Sequence, residues 1–141
     1  MPTVLLISPS FDIGGQGYRI SDAFANEAGW DVRSMAKATS YLHYPEDLPF
    51  RKKHLEELYQ QADVIHCRVD FRLYDQMAAK FGPKPVLIHH HGSKFRADPH
   101  RFLREMRKRN AIGLVSTLDL WLLAPDDLIW LPAPYDVDAL Q

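Results

Sequence analysis

Short apolar runs alternate with stretches of helical period along this chain, and that alternation restricts the fold more than any other feature. Residues 4–7, Val4-Leu5-Leu6-Ile7, read as a buried strand bounded by Ser8-Pro9-Ser10. Residues 18–28 read as a helix with Ile20, Ala23, Phe24 and Ala28 on one face and Gly29 at its C-terminal cap. Residues 30–35 form a weaker second strand, and 41–49 a loop in which Asp47 before Leu48-Pro49 signals a helix start. Leu55, Leu58, Tyr59 and Ala62 give the stripe of that helix, and residues 64–67 a third strand. Asp70 is expected to cap a helix carrying Leu73, Met77, Ala78 and Phe81, closed by Gly82-Pro83. A fourth strand follows at 85–90. Asp98-Pro99 opens a helix with Phe102, Leu103 and Met106 inside and arginines outside. Residues 112–115 are a fifth strand, Thr117 caps a short helix to Leu123, and 128–131 are a last strand.

Strand and helix in strict alternation require crossovers, and crossovers give a parallel sheet. The strands are continuously apolar, as strands covered on both faces are. The expected fold is therefore a single open, doubly wound, Rossmann-like α/β domain over 1–131, with helices on both faces. Residues 132–141 are read as a tail or the start of a linker. A chain of 141 residues and 16.3 kDa has room for one such domain. Sheets of this kind bind ligands outside the carboxyl ends of their strands, at the switch in strand order.

Charge and cysteine content exclude several classes. Seventeen Lys plus Arg against 18 Asp plus Glu leave a net charge of −1, which argues against nucleic-acid binding. The balance hides a basic segment with Lys94, Arg96, Arg101, Arg104, Arg107, Lys108 and Arg109, followed by residues 110–141 with no Lys or Arg. The helix at 99–109 reads either as a solvated surface or as a foot giving peripheral contact with an anionic membrane. The single cysteine, Cys67, excludes an internal disulfide and a Cys-rich zinc site, and reads as a structural thiol. With no leader or spanning segment visible, a cytoplasmic location is expected.

The carboxyl-end loops carry the chemistry. After the first strand, Gly14-Gly15-Gln16-Gly17 feeds a helix, and glycines before a helix N-terminus suit either a phosphate or a tight turn. The third position of a G-x-G-x-x-G is Ile20 and no G-K-[ST] follows, so a dinucleotide site is weak and a P-loop is excluded. His66 and Arg68 end the third strand. His89-His90-His91-Gly92 ends the fourth, with alternation placing His89 and His91 on one side and His90 on the other. These histidines lack an acidic companion and the H-E-x-x-H spacing, so general-base work or hydrogen bonding to a hydroxyl is favoured over a metal. His90 reads as structural and His91, at the mouth, as functional. Ser116 ends the fifth strand within reach of a ligand; without a G-x-S-x-G elbow, a hydrolase triad is unsupported. No cofactor is expected.

Taken in order, these residues resemble the N-terminal domain of family 4-type glycosyltransferases of the GT-B fold. The resemblance lies in Gly14-Gly15-Gln16-Gly17-Tyr18-Arg19, Ala62-Asp63-Val64-Ile65-His66 and Pro85-Val86-Leu87-Ile88-His89-His90-His91-Gly92. It continues through Val115-Ser116-Thr117-Leu118-Asp119-Leu120 and the stretch from Trp130 to Asp138. It implies transfer of a sugar from a nucleotide-sugar donor to an acceptor hydroxyl, without a metal. It assigns Gly14, Gly15, Gln16 and Gly17 to the donor diphosphate and His91 to the transferred sugar or to catalysis. Asp12, His66, Arg68, His89, Arg96 and Ser116 are then acceptor or sugar contacts. Two departures stand out: Arg68 replaces a second histidine, and Ala133-Pro134-Tyr135 replaces an Asn-Gly step. Because the sequence stops at Gln141, where the linker to the donor-binding domain begins in that family, transfer is expected to need a separate domain or chain. Two other readings are a stand-alone Rossmann-like module that binds a nucleotide or anion without catalysis, and a structural or regulatory protein whose exposed cleft face near Trp121, Leu122, Trp130 and Leu131 pairs with a partner chain.

Overall fold

A computed structural model describes residues 1–10, 16–38 and 50–132. Its elements run β1 (Thr3–Ser8), α1 (Gln16–Ala28), β2 (Asp31–Ala36), α2 (Lys52–Gln61), β3 (Val64–Arg68) and α3 (Arg72–Phe81). They continue as β4 (Val86–His90), α4 (Gly92–Ala97), α5 (Pro99–Lys108), β5 (Ile112–Val115), α6 (Leu118–Trp121) and β6 (Leu128–Trp130). The six strands form one sheet in the order β2-β1-β3-β4-β5-β6, and every pairing is parallel. The fold is thus the α/β, doubly wound, Rossmann-like architecture expected.

The strand order explains where the helices lie. The chain moves from β1 outwards to β2, then crosses back to β3 and continues in the opposite direction. Right-handed crossovers therefore put α1 on one face and α2, α3 and α5 on the other. The second face is the apolar core. Leu5, Ile7, Ile65, Cys67, Ile88 and Val115 from the strands pack there with Leu55, Tyr59, Met77, Leu103 and Met106 from the helices. Gly113 belongs to this face and admits a close approach: a Cβ there would stand 2.4 Å from the Met106 methyl and 2.6 Å from Leu128 Cδ2. Cys67 is a free thiol buried in the sheet, with burial pushing its pKa up.

Several details differ from the sequence reading. Ala28 is exposed, and α1 buries Gly17, Ile20 and Ser21 instead. Its Phe24 stacks on Trp30, with ring centroids 5.0 Å apart, and Gly29 turns the chain with φ +64°. Asp70 does not cap α3: Phe71 holds the N-cap position, while Asp70 accepts from Arg72 N and pairs with its side chain. Thr117 holds the cap position of α6 without a side-chain cap bond. Asp47 and the rest of that loop lie outside the described residues, as do 133–141.

Asp98 does cap α5. Its carboxylate accepts from Arg101 N at 3.0 Å, and Pro99 occupies the first turn. Asp98→Ala is expected to lower stability by about 1 kcal/mol, read as a drop in the urea midpoint at unchanged m-value. An unmoved midpoint would show the bond contributes nothing.

The basic segment is largely neutralised. Arg96 pairs with Asp119, Arg107 with Asp127 at 2.9 Å, Lys108 with Glu105 at 2.8 Å, and Arg109 with Asp75 at 2.7 Å and Glu105 at 2.8 Å. Lys94, Arg101 and Arg104 are its basic side chains without a carboxylate partner among the described residues.

Candidate functional site

The topological switch falls between β1 and β3, and the polar residues of the sheet gather beside it. Register sets Leu6 beside His66, His66 beside Leu87, Arg68 beside His89, and His89 beside Leu114. With a side-chain period of two, Ser8, His66, Arg68, His89, His91 and Ser116 all project from the face that carries α1. His90 points the other way. It lies among Phe95, Phe102 and Met106, with Nε2 3.0 Å from the Met106 sulfur, so it is the structural histidine of the three.

His66, His89 and His91 form a stack. The His66 and His89 centroids are 5.8 Å apart with rings inclined by 10°, and those of His89 and His91 are 5.2 Å apart at 14°. The stack is tied at two points. His89 Nε2 lies 2.6 Å from Ser116 Oγ, and an Arg68 terminal nitrogen lies 3.2 Å from His91 Nε2. His66, by contrast, is 1% exposed and neither ring nitrogen has a hydrogen-bond partner among the described residues. Burial drives the pKa of His66 down to about 3, with the Arg68 charge adding to the effect. Burial likewise brings His89 down to about 3 and His90 to about 4. All three are neutral at physiological pH, whereas the buried Arg68 guanidinium stays charged. The site is thus a fixed cation set in neutral imidazoles.

Two backbone features frame it. Val69, directly after Arg68, has φ +75°, a left-handed conformation that costs a β-branched residue about 1–3 kcal/mol. It swings the chain out of the sheet, and its N–H is held by the His89 carbonyl at 3.2 Å. On the other side, α1 begins at Gln16 and brings Gly17 to a small hollow shared with Leu6, Ser8, Ser34 and Arg68. That hollow measures about 10 Å³, room for roughly one water.

Of the residues singled out in the sequence, the structure brings together His66, Arg68, His89, His91 and Ser116, with Gln16 and Gly17 opening the adjacent helix. Arg96 does not join them; it is half-exposed on α4 and bridges to Asp119 in the first turn of α6. Asp12, Gly14 and Gly15 lie outside the described residues. Ser8 and Ser34 on the same face were not singled out. Ser8 closes the first apolar run, and its place two residues after Leu6 was the available signal. Among the described residues, no group of three His, Cys, Asp or Glu side chains is arranged to hold a metal ion. No helix among them is long and apolar enough to cross a membrane. Compared with known proteins, the chain matched no family model, no curated protein and no solved structure.

Proposed function

We propose that the chain is the acceptor-side lobe of a glycosyltransferase that works in the cytoplasm together with a donor-binding lobe. The observation that carries this reading is the stack ending in His91 at the carboxyl ends of β3 and β4, beside the switch point. The neutral His66 and His89 imidazoles, the His91 ring, the Arg68 guanidinium and the Ser116 hydroxyl form a set suited to sugar hydroxyls and phosphoryl oxygens. His91 meets the transferred sugar, Arg68 and Ser116 flank the acceptor, and Gln16 and Gly17 at the start of α1 approach the donor diphosphate. The ordered sequence resemblance supports the same assignment. Lys94, Arg101 and Arg104, without a carboxylate partner among the described residues, are the charges such a lobe would use in any peripheral contact with an anionic acceptor surface.

The test is sugar transfer by the chain mixed with a separately produced donor-binding lobe and a nucleotide sugar. Transfer that falls at least 100-fold in His91→Ala, with the fold retained by circular dichroism, is the expected result. Transfer that is absent with every complementing lobe, or unaffected by His91→Ala, would overturn it.

The second reading is a stand-alone module for a nucleotide or other anion. It is favoured by the Arg68 guanidinium and the first turn of α1 standing together at the carboxyl ends of β1 and β3, beside the switch point. A nucleotide that raises the melting temperature without turnover would select it, since a ligand that binds only the folded state stabilises by mass action.

A further inference from the structure

The contact between Arg68 and His91 fixes more than a position. A guanidinium has N–H donors and no acceptor. With an Arg68 terminal nitrogen 3.2 Å from His91 Nε2, the imidazole must offer a lone pair at that atom. A neutral imidazole with its lone pair on Nε2 carries its proton on Nδ1. From this geometry we infer that Arg68 is the positioning residue that holds His91 in the Nδ1–H form, with Nε2 the acceptor and Nδ1 the donor of that ring. The inference deepens the reading of His91 as a sugar contact and rests on that reading for its functional meaning, although the tautomer is measurable without it.

The consequences are chemical. In this form Nε2 is already committed to Arg68, so His91 does not remove a proton from an acceptor hydroxyl through that atom. A group approaching Nδ1 must present an acceptor: a phosphoryl, carboxylate or ring-ether oxygen. The surroundings keep Arg68 in place. It is 1% exposed at the end of β3, beside His89 in register, and the left-handed Val69 follows it. The facing residues of the stack, His66 and His89, are neutral and supply no competing charge.

The experiment is long-range proton–nitrogen correlation on the full chain labelled with nitrogen-15 in histidine, with His91 assigned by comparison with His91→Gln. In the wild type, His91 Nδ1 is expected to show the protonated, pyrrole-like shift and Nε2 the pyridine-like shift at about pH 8, where the ring is neutral. Arg68→Lys keeps a donor and should retain the pattern, whereas Arg68→Met should shift it towards Nε2–H. Inorganic phosphate, as the acceptor-only probe, should perturb the His91 Nδ1–H resonance in the wild type. A wild-type His91 with its proton on Nε2 overturns the inference by itself, and so does an Arg68→Met spectrum identical to wild type. Absence of sugar transfer in the complementation assay would remove the glycosyltransferase reading and leave the tautomer standing, so the two failures are separable.

Discussion

Lowering the pH from about 7.5 to about 5.5 should destabilise this protein by about 4 kcal/mol, through His66, His89 and His90 together. Burial holds each folded-state pKa at about 3 to 4, well below the ordinary value of 6.5. Between those limits the unfolded chain binds protons that the folded chain refuses. Their contribution is therefore complete above pH 6.5 and is lost as the pH falls towards the folded values. One unit below 6.5, each group contributes a loss of about 1.4 kcal/mol. Glu105, held down to about 2 by hydrogen bonds from Lys108 and Arg109, does not contribute in this window. Urea titrations at the two pH values check the result, and equal midpoints would refute it. His66→Leu sharpens the test. It replaces a buried ring whose nitrogens have no partner among the described residues, so the variant should lie within about 1 kcal/mol of wild type at pH 7.5. It should also lose roughly a third of the acid sensitivity, since one of the three buried imidazoles is gone.

Truncating Tyr59 is expected to have a comparable effect at neutral pH. Tyr59 is fully buried on α2 and packs near Tyr74 and Phe81 of α3, with ring centroids 6.3 Å away in both cases. Its hydroxyl donates to the Gly82 carbonyl at 2.8 Å, just past the end of α3. One side chain thus joins two helices and closes the second of them. Tyr59→Ala should cost about 3–5 kcal/mol, combining lost transfer energy with a cavity that the surrounding rings fill incompletely. Tyr59→Phe should cost only about 1 kcal/mol, the net value of the hydrogen bond. The pair separates packing from polarity in one unfolding experiment. Equal losses for the two variants would show that the hydroxyl, not the ring, holds α2 to α3.

Much of the fold was legible because burial on both sides of a parallel sheet forces continuous apolar runs, and each run in the sequence is a strand. Helix faces were less legible where the packing is not apolar. On α1 the buried positions are Gly17, Ile20 and Ser21, because this helix sits on the polar side of the sheet, while Ala28 extends past it into solvent. The short α4 was missed because Gly92–Ala97 is about one and a half turns and has no period to read. The same shortness puts Phe95 into the core beside His90. Asp70 looked like a cap because of its type, but the chain is still turning out of β3 through Val69, and its carboxylate is taken up locally by Arg72.

For the candidate site, the sequence by itself determined which residues stand at the strand ends and which of them share a side. Backbone alternation alone puts His89 and His91 together and His90 apart, whatever the sheet order. It could not determine their partners, because those come from register between strands distant in sequence. Only the pairing of Arg68 with His89 brings the guanidinium within reach of His91, and only β5 beside β4 sets Ser116 against His89. Tertiary structure also decided the chemistry of the imidazoles. Alone, a histidine is ambiguous near neutral pH; enclosed in this sheet it stays neutral, because burial penalises its charged form.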